Sequence, residues 1–290
     1  VELLMAQEGN TCGPLDWVDE LRAVEEKVRQ VTRTGTRAES SAANALLYDF
    51  NRIPHPFTNM HVTEQGLNQL DEYIGRVRSV IGSKVPLAID HFGHFPLPDM
   101  IKIARRLEKY HLAWLEDMLP WYLTDQYREL KHATTAPIAT GEDMYLAESF
   151  EPLLQAGALD VVHPDLLTSG GILETKKLGD LAARYGVSMA LHMCESPVSA
   201  LAGAHMATAS ENFFAQEHDA FDSEWWQDLI IGPVKPMVKD GFTVVTDAPG
   251  LGIEGLNEDL IREHGPMKGK DVWVSTDEWN QETSLDRIWS

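Results

Sequence analysis

Between Lys84 and His218, short apolar runs alternate with longer segments whose apolar residues recur at helical spacing. The runs are PLAID, LAWLE, PIATG, LDVVH, VSMALH and NFFAQEH, and the helical segments between them fall at residues 98–110, 123–132, 147–156, 171–185 and 197–210. A short, nearly continuous apolar run reads as a strand covered on both faces, and strand-helix alternation calls for a parallel sheet. An α/β fold with six such strands is therefore expected. Upstream the pattern changes. Residues 16–32 and 64–80 predict amphipathic helices, the second with Leu67, Leu70, Ile74, Val77 and Val80 on one face. The polar stretch 34–63, broken by Pro54 and Pro56, predicts a long loop, and ANALLYDF fits a strand and a helical turn equally. Downstream, residues 235–256 carry the Pro and Gly punctuation of a hairpin. The chain thus divides into a leading segment (1–83), a strand-helix body (84–220) and a C-terminal segment (221–290).

The strand ends carry the chemistry. Asp90, Glu116 and Glu142 close the first three runs at equal intervals of 26 residues. That is one strand, loop, helix and return loop, so the three side chains should reach one rim of a parallel barrel. Acidic residues after strands also serve as helix N-caps, but constant spacing favours a shared role. Converging carboxylates repel one another unless a cation lies among them, and an oxygen-only donor set favours a hard ion, Mg2+ first and Mn2+ as the alternative. The next three ends carry Asp165, His192 and Glu217. An Asp beside a His fixes its tautomer and favours the imidazolium, which makes a tuned base. Glu217 is either a cap or a group that hydrogen-bonds charge developing on a substrate.

Other histidines divide by position. In DHFGH, strand alternation turns His91 away from Asp90, whereas His94 on the following loop can turn back toward the mouth. His163 reads as packing inside the barrel and His205 as a structural residue of a helix. The Ser169-Gly170-Gly171 run reads as a tight helix entry, since no lysine or flanking glycine pattern makes it a phosphate cradle.

Charge and composition narrow the partners. With 290 residues and 43% apolar content the chain has enough for a substantial core. A formal charge of −21 repels nucleic acid and anionic membranes alike. An anionic substrate therefore needs local positive charge, which a divalent ion would supply. Two cysteines, Cys12 and Cys194, make no disulfide framework and suit a reducing cytoplasm. No apolar run reaches the length of a membrane span, and Val1 opens no basic-then-apolar leader.

The order Asp90, Glu116, Glu142, Asp165, His192, Glu217, with WLEDMLPW, TGED, HPDLLTSGG and DAPGLGIE, resembles the mandelate racemase branch of the enolase superfamily over about residues 64–265. The resemblance implies a TIM-like (β/α)7β barrel with Mg2+ on Asp90, Glu116 and Glu142. It implies an Asp165-His192 dyad, Glu217 on the last strand, and a homo-oligomer. It also implies a capping domain, whose N-terminal portion and first barrel strands have no counterpart here; LLYDF lacks the Lys-x-Lys of the family's racemases. The shared chemistry is removal of the proton alpha to a carboxylate. A His-bearing rim favours dehydration of a sugar acid to a 2-keto-3-deoxy acid, with His94 or the His192 imidazolium as the acid. Racemisation, epimerisation, cycloisomerisation and a non-catalytic metal-binding barrel are the alternatives. Phe92 stands where related dehydratases often carry His, which passes any third-strand acid role to His94 or His91.

Overall fold

The computed structural model describes residues 61–90, 95–218, 223–232 and 235–264. The helix expected at 16–32, the ANALLYDF segment, nearly all of the loop at 34–63, and both His91 and His94 lie outside the described residues.

In chain order the elements are α1 (Glu64–Ile81), α2 (Leu97–Leu107), β1 (Leu115–Glu116), α3 (Thr124–Ala133), β2 (Ile138–Thr140) and α4 (Leu146–Gln155). Then come β3 (Val161–Val162), α5 (Gly171–Arg184), β4 (Ser188–Leu191), α6 (Pro197–Thr208) and β5 (Phe213–Gln216). Strands β1 to β5 form one parallel sheet whose spatial order equals the chain order, with a helix between each pair, which is the barrel arrangement. The helices begin and end within a residue or two of the positions that periodicity predicts, except that α2 stops at Leu107, three residues early, and a 3-10 turn (Glu108–Tyr110) carries the chain on to Tyr110.

The run PLAID gives less strand than expected. Only Ile89 forms a bridge, to Leu115, although Ala113 and Glu116 donate backbone N–H groups to Leu87 and Ile89 at 2.8 Å each. Pro86 has no N–H to give, and the run is an edge of the sheet among the described residues.

Local chemistry explains the helix ends. Thr63 caps α1 by accepting from the Gly66 N–H, and Gly82 ends it at φ +71. Pro197 opens α6 behind the Ser196 cap. Gly75 lies inside α1 because Tyr110 approaches so closely that a Cβ would sit 2.9 Å from its hydroxyl oxygen.

Alternation along the strands separates two apolar layers. Leu115, Ile138, Val162, Met189 and Leu191 face the helices and join Met100, Ile103, Leu107, Tyr127, Leu130 and Phe150 in the main core. Trp114, Ala139, Val161 and Ala190 face the other way into a smaller cluster, where the Trp114 ring meets Phe214 edge-on at 5.8 Å. A wide indole opposite three small side chains fills that interior beneath the strand ends.

After β5 the chain makes β6 (Ile230–Ile231), β7 (Val238–Lys239), β8 (Phe242–Thr243), β9 (Gly255–Leu256) and α7 (Glu258–His264). The hairpin expected from the punctuation is β7-β8, while β9 returns antiparallel to β6. Trp226 belongs to a third apolar cluster with Met193, Leu201 and Met237, which ties this segment to α6.

Candidate active site

The carboxyl ends of the strands gather the acids. Oxygens of Asp90, Glu116, Asp117 and Glu142 all lie within 4.8 Å of one another. Asp90 follows the Ile89 bridge, Glu116 ends β1, and Glu142 stands after Gly141, whose φ of +149 takes the chain out of β2. A Cβ at Gly141 would lie 2.7 Å from the Phe150 ring and 2.9 Å from the His163 backbone, so only glycine fits there.

Asp117 is the member that the sequence pattern missed. Alternation places it opposite Glu116, but its backbone is left-handed, at φ +45, which breaks the alternation and returns it to the acid cluster. Its Oδ1 accepts from the Thr140 hydroxyl at 2.5 Å, while its Oδ2 is buried without a hydrogen-bond partner. Burial, and then the charges of Glu142 and Glu116, push this carboxyl well above its ordinary range. An orphaned buried oxygen among crowded acids is the arrangement that a hard cation relieves, so the donor set fits a divalent metal ion.

His163 is also more than packing. It is fully buried, and its Nδ1 meets Glu116 Oε1, while Trp114 Nε1 donates to Glu116 Oε2 at 2.6 Å. Burial works against the charge of both partners. Their mutual hydrogen bond outweighs it, holding Glu116 below and His163 above its ordinary value. The signal was present in the sequence, because His163 and Asp165 share a strand phase with inward-facing Val161.

The second half of the rim carries the base candidate. His192 Nδ1 lies 2.9 Å from Asp165 Oδ2, and its Nε2 lies 3.6 Å from Glu142 Oε2. Asp165 also accepts from the Leu167 N–H at 2.6 Å. Burial opposes ionisation of Asp165, yet the hydrogen bond from His192 prevails and lowers it to about 2. Burial likewise opposes the imidazolium, but Asp165, Glu142 and Glu217 raise His192 to about 9. Glu217 follows β5 and its Oε2 accepts from the Met193 N–H at 3.3 Å. Asp90, Glu142, Asp165, His192 and Glu217 line one cavity of about 700 Å3. Glu195, which strand-end reasoning passed over because it sits in a turn, lines it too. His205 stays away from this rim, inside α6.

The sequence profile described as enolase C-terminal domain-like matches residues 57–260. The chain belongs to this family. A D-xylonate dehydratase of Haloferax volcanii is 32% identical over 206 residues, covering 71% of this chain and 49% of that protein. A D-galactonate dehydratase of Xanthomonas campestris is 29% identical over 211 residues, covering 70% and 55%. A crystal structure of a mandelate racemase/muconate lactonizing enzyme-like protein from Rubrobacter xylanophilus superposes with a TM-score of 0.68 at 33% identity, over 70% of this chain and 51% of that one. The chain spans about half the length of the curated relatives it matches. The enolase superfamily expectation, with its parallel α/β sheet, is therefore borne out. No helix among the described residues is long and apolar enough to cross a membrane.

Proposed function

We propose that the protein dehydrates a sugar acid to a 2-keto-3-deoxy acid, beginning with removal of the proton alpha to the carboxylate. The observation that carries this reading is the placement of His192: one ring nitrogen is fixed by Asp165 and the other opens toward Glu142 and the acid cluster. Relatives named as dehydratases of D-xylonate and D-galactonate support the same substrate class.

Asp90, Glu116 and Glu142 would hold the ion, with Mg2+ the best match to an all-oxygen donor set. When bound, such an ion spreads the negative charge that builds on the substrate carboxylate. In its neutral form His192 takes the alpha proton through Nε2, while Asp165 holds Nδ1–H and steadies the imidazolium; a bound cation would offset the Glu142 charge that otherwise helps keep the ring protonated. Loss of the beta-hydroxyl then needs a proton, and the His192 imidazolium supplies it, so that water departs and the enol relaxes to the keto acid. His94 is the other candidate acid. Glu217, at the end of β5, faces the same cavity and, as a protonated carboxylic acid, is assigned the hydrogen bond donated to the developing charge.

The test is incubation of the Mg2+-loaded protein with D-xylonate, D-gluconate and D-galactonate, following keto acid formation and alpha-proton exchange in deuterated water. Keto acid from at least one substrate is expected, and His192→Asn should stop exchange while Mg2+ affinity is kept. Exchange without keto acid would replace dehydration by epimerisation. Neither product nor exchange in metal-loaded protein would end the reading.

A further inference from the structure

Glu195 lines the cavity but has no part in the reaction as assigned. Glu195 sits in the turn between β4 and α6, one residue before the Ser196 helix cap. Its backbone is anchored from the C-terminal segment, where the Trp226 indole N–H donates to the Glu195 carbonyl at 2.8 Å. Its side chain is held from α6, where the Ser199 hydroxyl donates to Oε2 at 2.9 Å. The carboxyl also lies beside that of Asp165, within reach of a hydrogen bond when one of the two holds a proton, and ligand-type atoms of His192, Cys194 and Glu195 lie within 4.8 Å of one another.

Two carboxyls in contact cannot both stay ionised at low cost, so one holds the shared proton. Asp165 already accepts from His192 Nδ1 and from the Leu167 N–H, which suits the ionised form. Glu195 therefore takes the proton and acts as a donor. Burial, then the hydrogen bond with Asp165, raises it to about 7.

We propose that Glu195 is a positioning residue that extends the Asp165-His192 pair to a chain of three, anchored by Ser199 and Trp226, and thereby fixes the imidazole toward the cavity. The role in turnover rests on the dehydratase reading, whereas the hydrogen-bond chain does not. Asp165 accepts from the Leu167 and Thr168 N–H groups and from His192, and among the described residues Glu195 is the neighbour that links it to α6 and the C-terminal segment. Without that tie, Asp165 keeps its charge and loses one constraint on its orientation.

The experiment compares Glu195→Ala with Glu195→Gln in the full chain with Mg2+. Glutamine keeps a donor for Asp165 and an acceptor for Ser199; alanine keeps neither. The first readout needs no substrate: the downfield Nδ1–H proton signal of His192 should persist in the glutamine variant and exchange away in the alanine variant. In turnover, alanine should lower kcat by about 10-fold to 100-fold with KM little changed, and glutamine should restore most of the rate, as expected of outer-shell support. A wild-type Nδ1–H signal in Glu195→Ala overturns the proposal. So does a glutamine variant as impaired as the alanine one, since the proton and not the position would then matter. A wild-type protein that turns over no sugar acid defeats the dehydratase reading alone, because the proton signal still decides the chain.

Discussion

Removing His163 should expose how much of this rim is held by one buried ion pair. The imidazole is 0% exposed and its partner Glu116 only 2%, with Trp114 Nε1 at 2.6 Å as the other contact of that carboxylate. His163→Leu fills similar volume but leaves Glu116 charged and short of a partner. Breaking a buried pair from one side costs about 3–5 kcal/mol, because the remaining charge is uncompensated. For a chain of this size that is a fall of roughly 6–20 °C in Tm, at about 2–4 °C per kcal/mol. The assay is urea denaturation in EDTA and again in Mg2+. In EDTA the full loss is expected. In Mg2+ the loss should shrink, since a cation at the acid cluster neutralises the same carboxylate. Adding Glu116→Gln to His163→Leu should recover much of the EDTA loss, because the double variant buries no unpaired charge. A single-variant loss below about 1 kcal/mol in EDTA would refute the pairing, as would a double variant less stable than the single.

Three further outcomes follow from the geometry. Asp117→Asn should raise stability in EDTA and weaken Mg2+ binding, measured by thermal melts and calorimetry: asparagine accepts the left-handed backbone at φ +45 while removing a carboxyl crowded by Glu142 and Glu116. Gly141→Ala should cost about 1–3 kcal/mol in chemical denaturation, since its Cβ would meet Phe150 and the His163 backbone at 2.7 and 2.9 Å. Glu195 gives a pH signature in melting curves. With its folded value raised from 4.5 to about 7, the folded state keeps a proton that the unfolded chain has lost between those values. Its contribution to stability therefore falls as pH rises through that window. Glu195→Gln should accordingly gain on the wild type between pH 4.5 and pH 7, and a constant difference would count against the shared proton.

The sequence by itself determined the strand-helix alternation, because a strand buried on both faces must be apolar throughout and an amphipathic helix must repeat its apolar face. Equal spacing then placed Asp90, Glu116 and Glu142 at one rim, and the structure brings their oxygens together. The Asp165-His192 contact was legible for the same reason, since adjacent parallel strands present their ends side by side. Three features needed the tertiary structure. Asp117 joins the acids only through a left-handed residue, and periodicity carries no information about a single φ value. His163 serves Glu116 from 47 positions away, a pairing set by strand register. Glu195 reaches Asp165 because Ser199 and Trp226 fix the turn that bears it, and a turn has no period from which side-chain direction could be read.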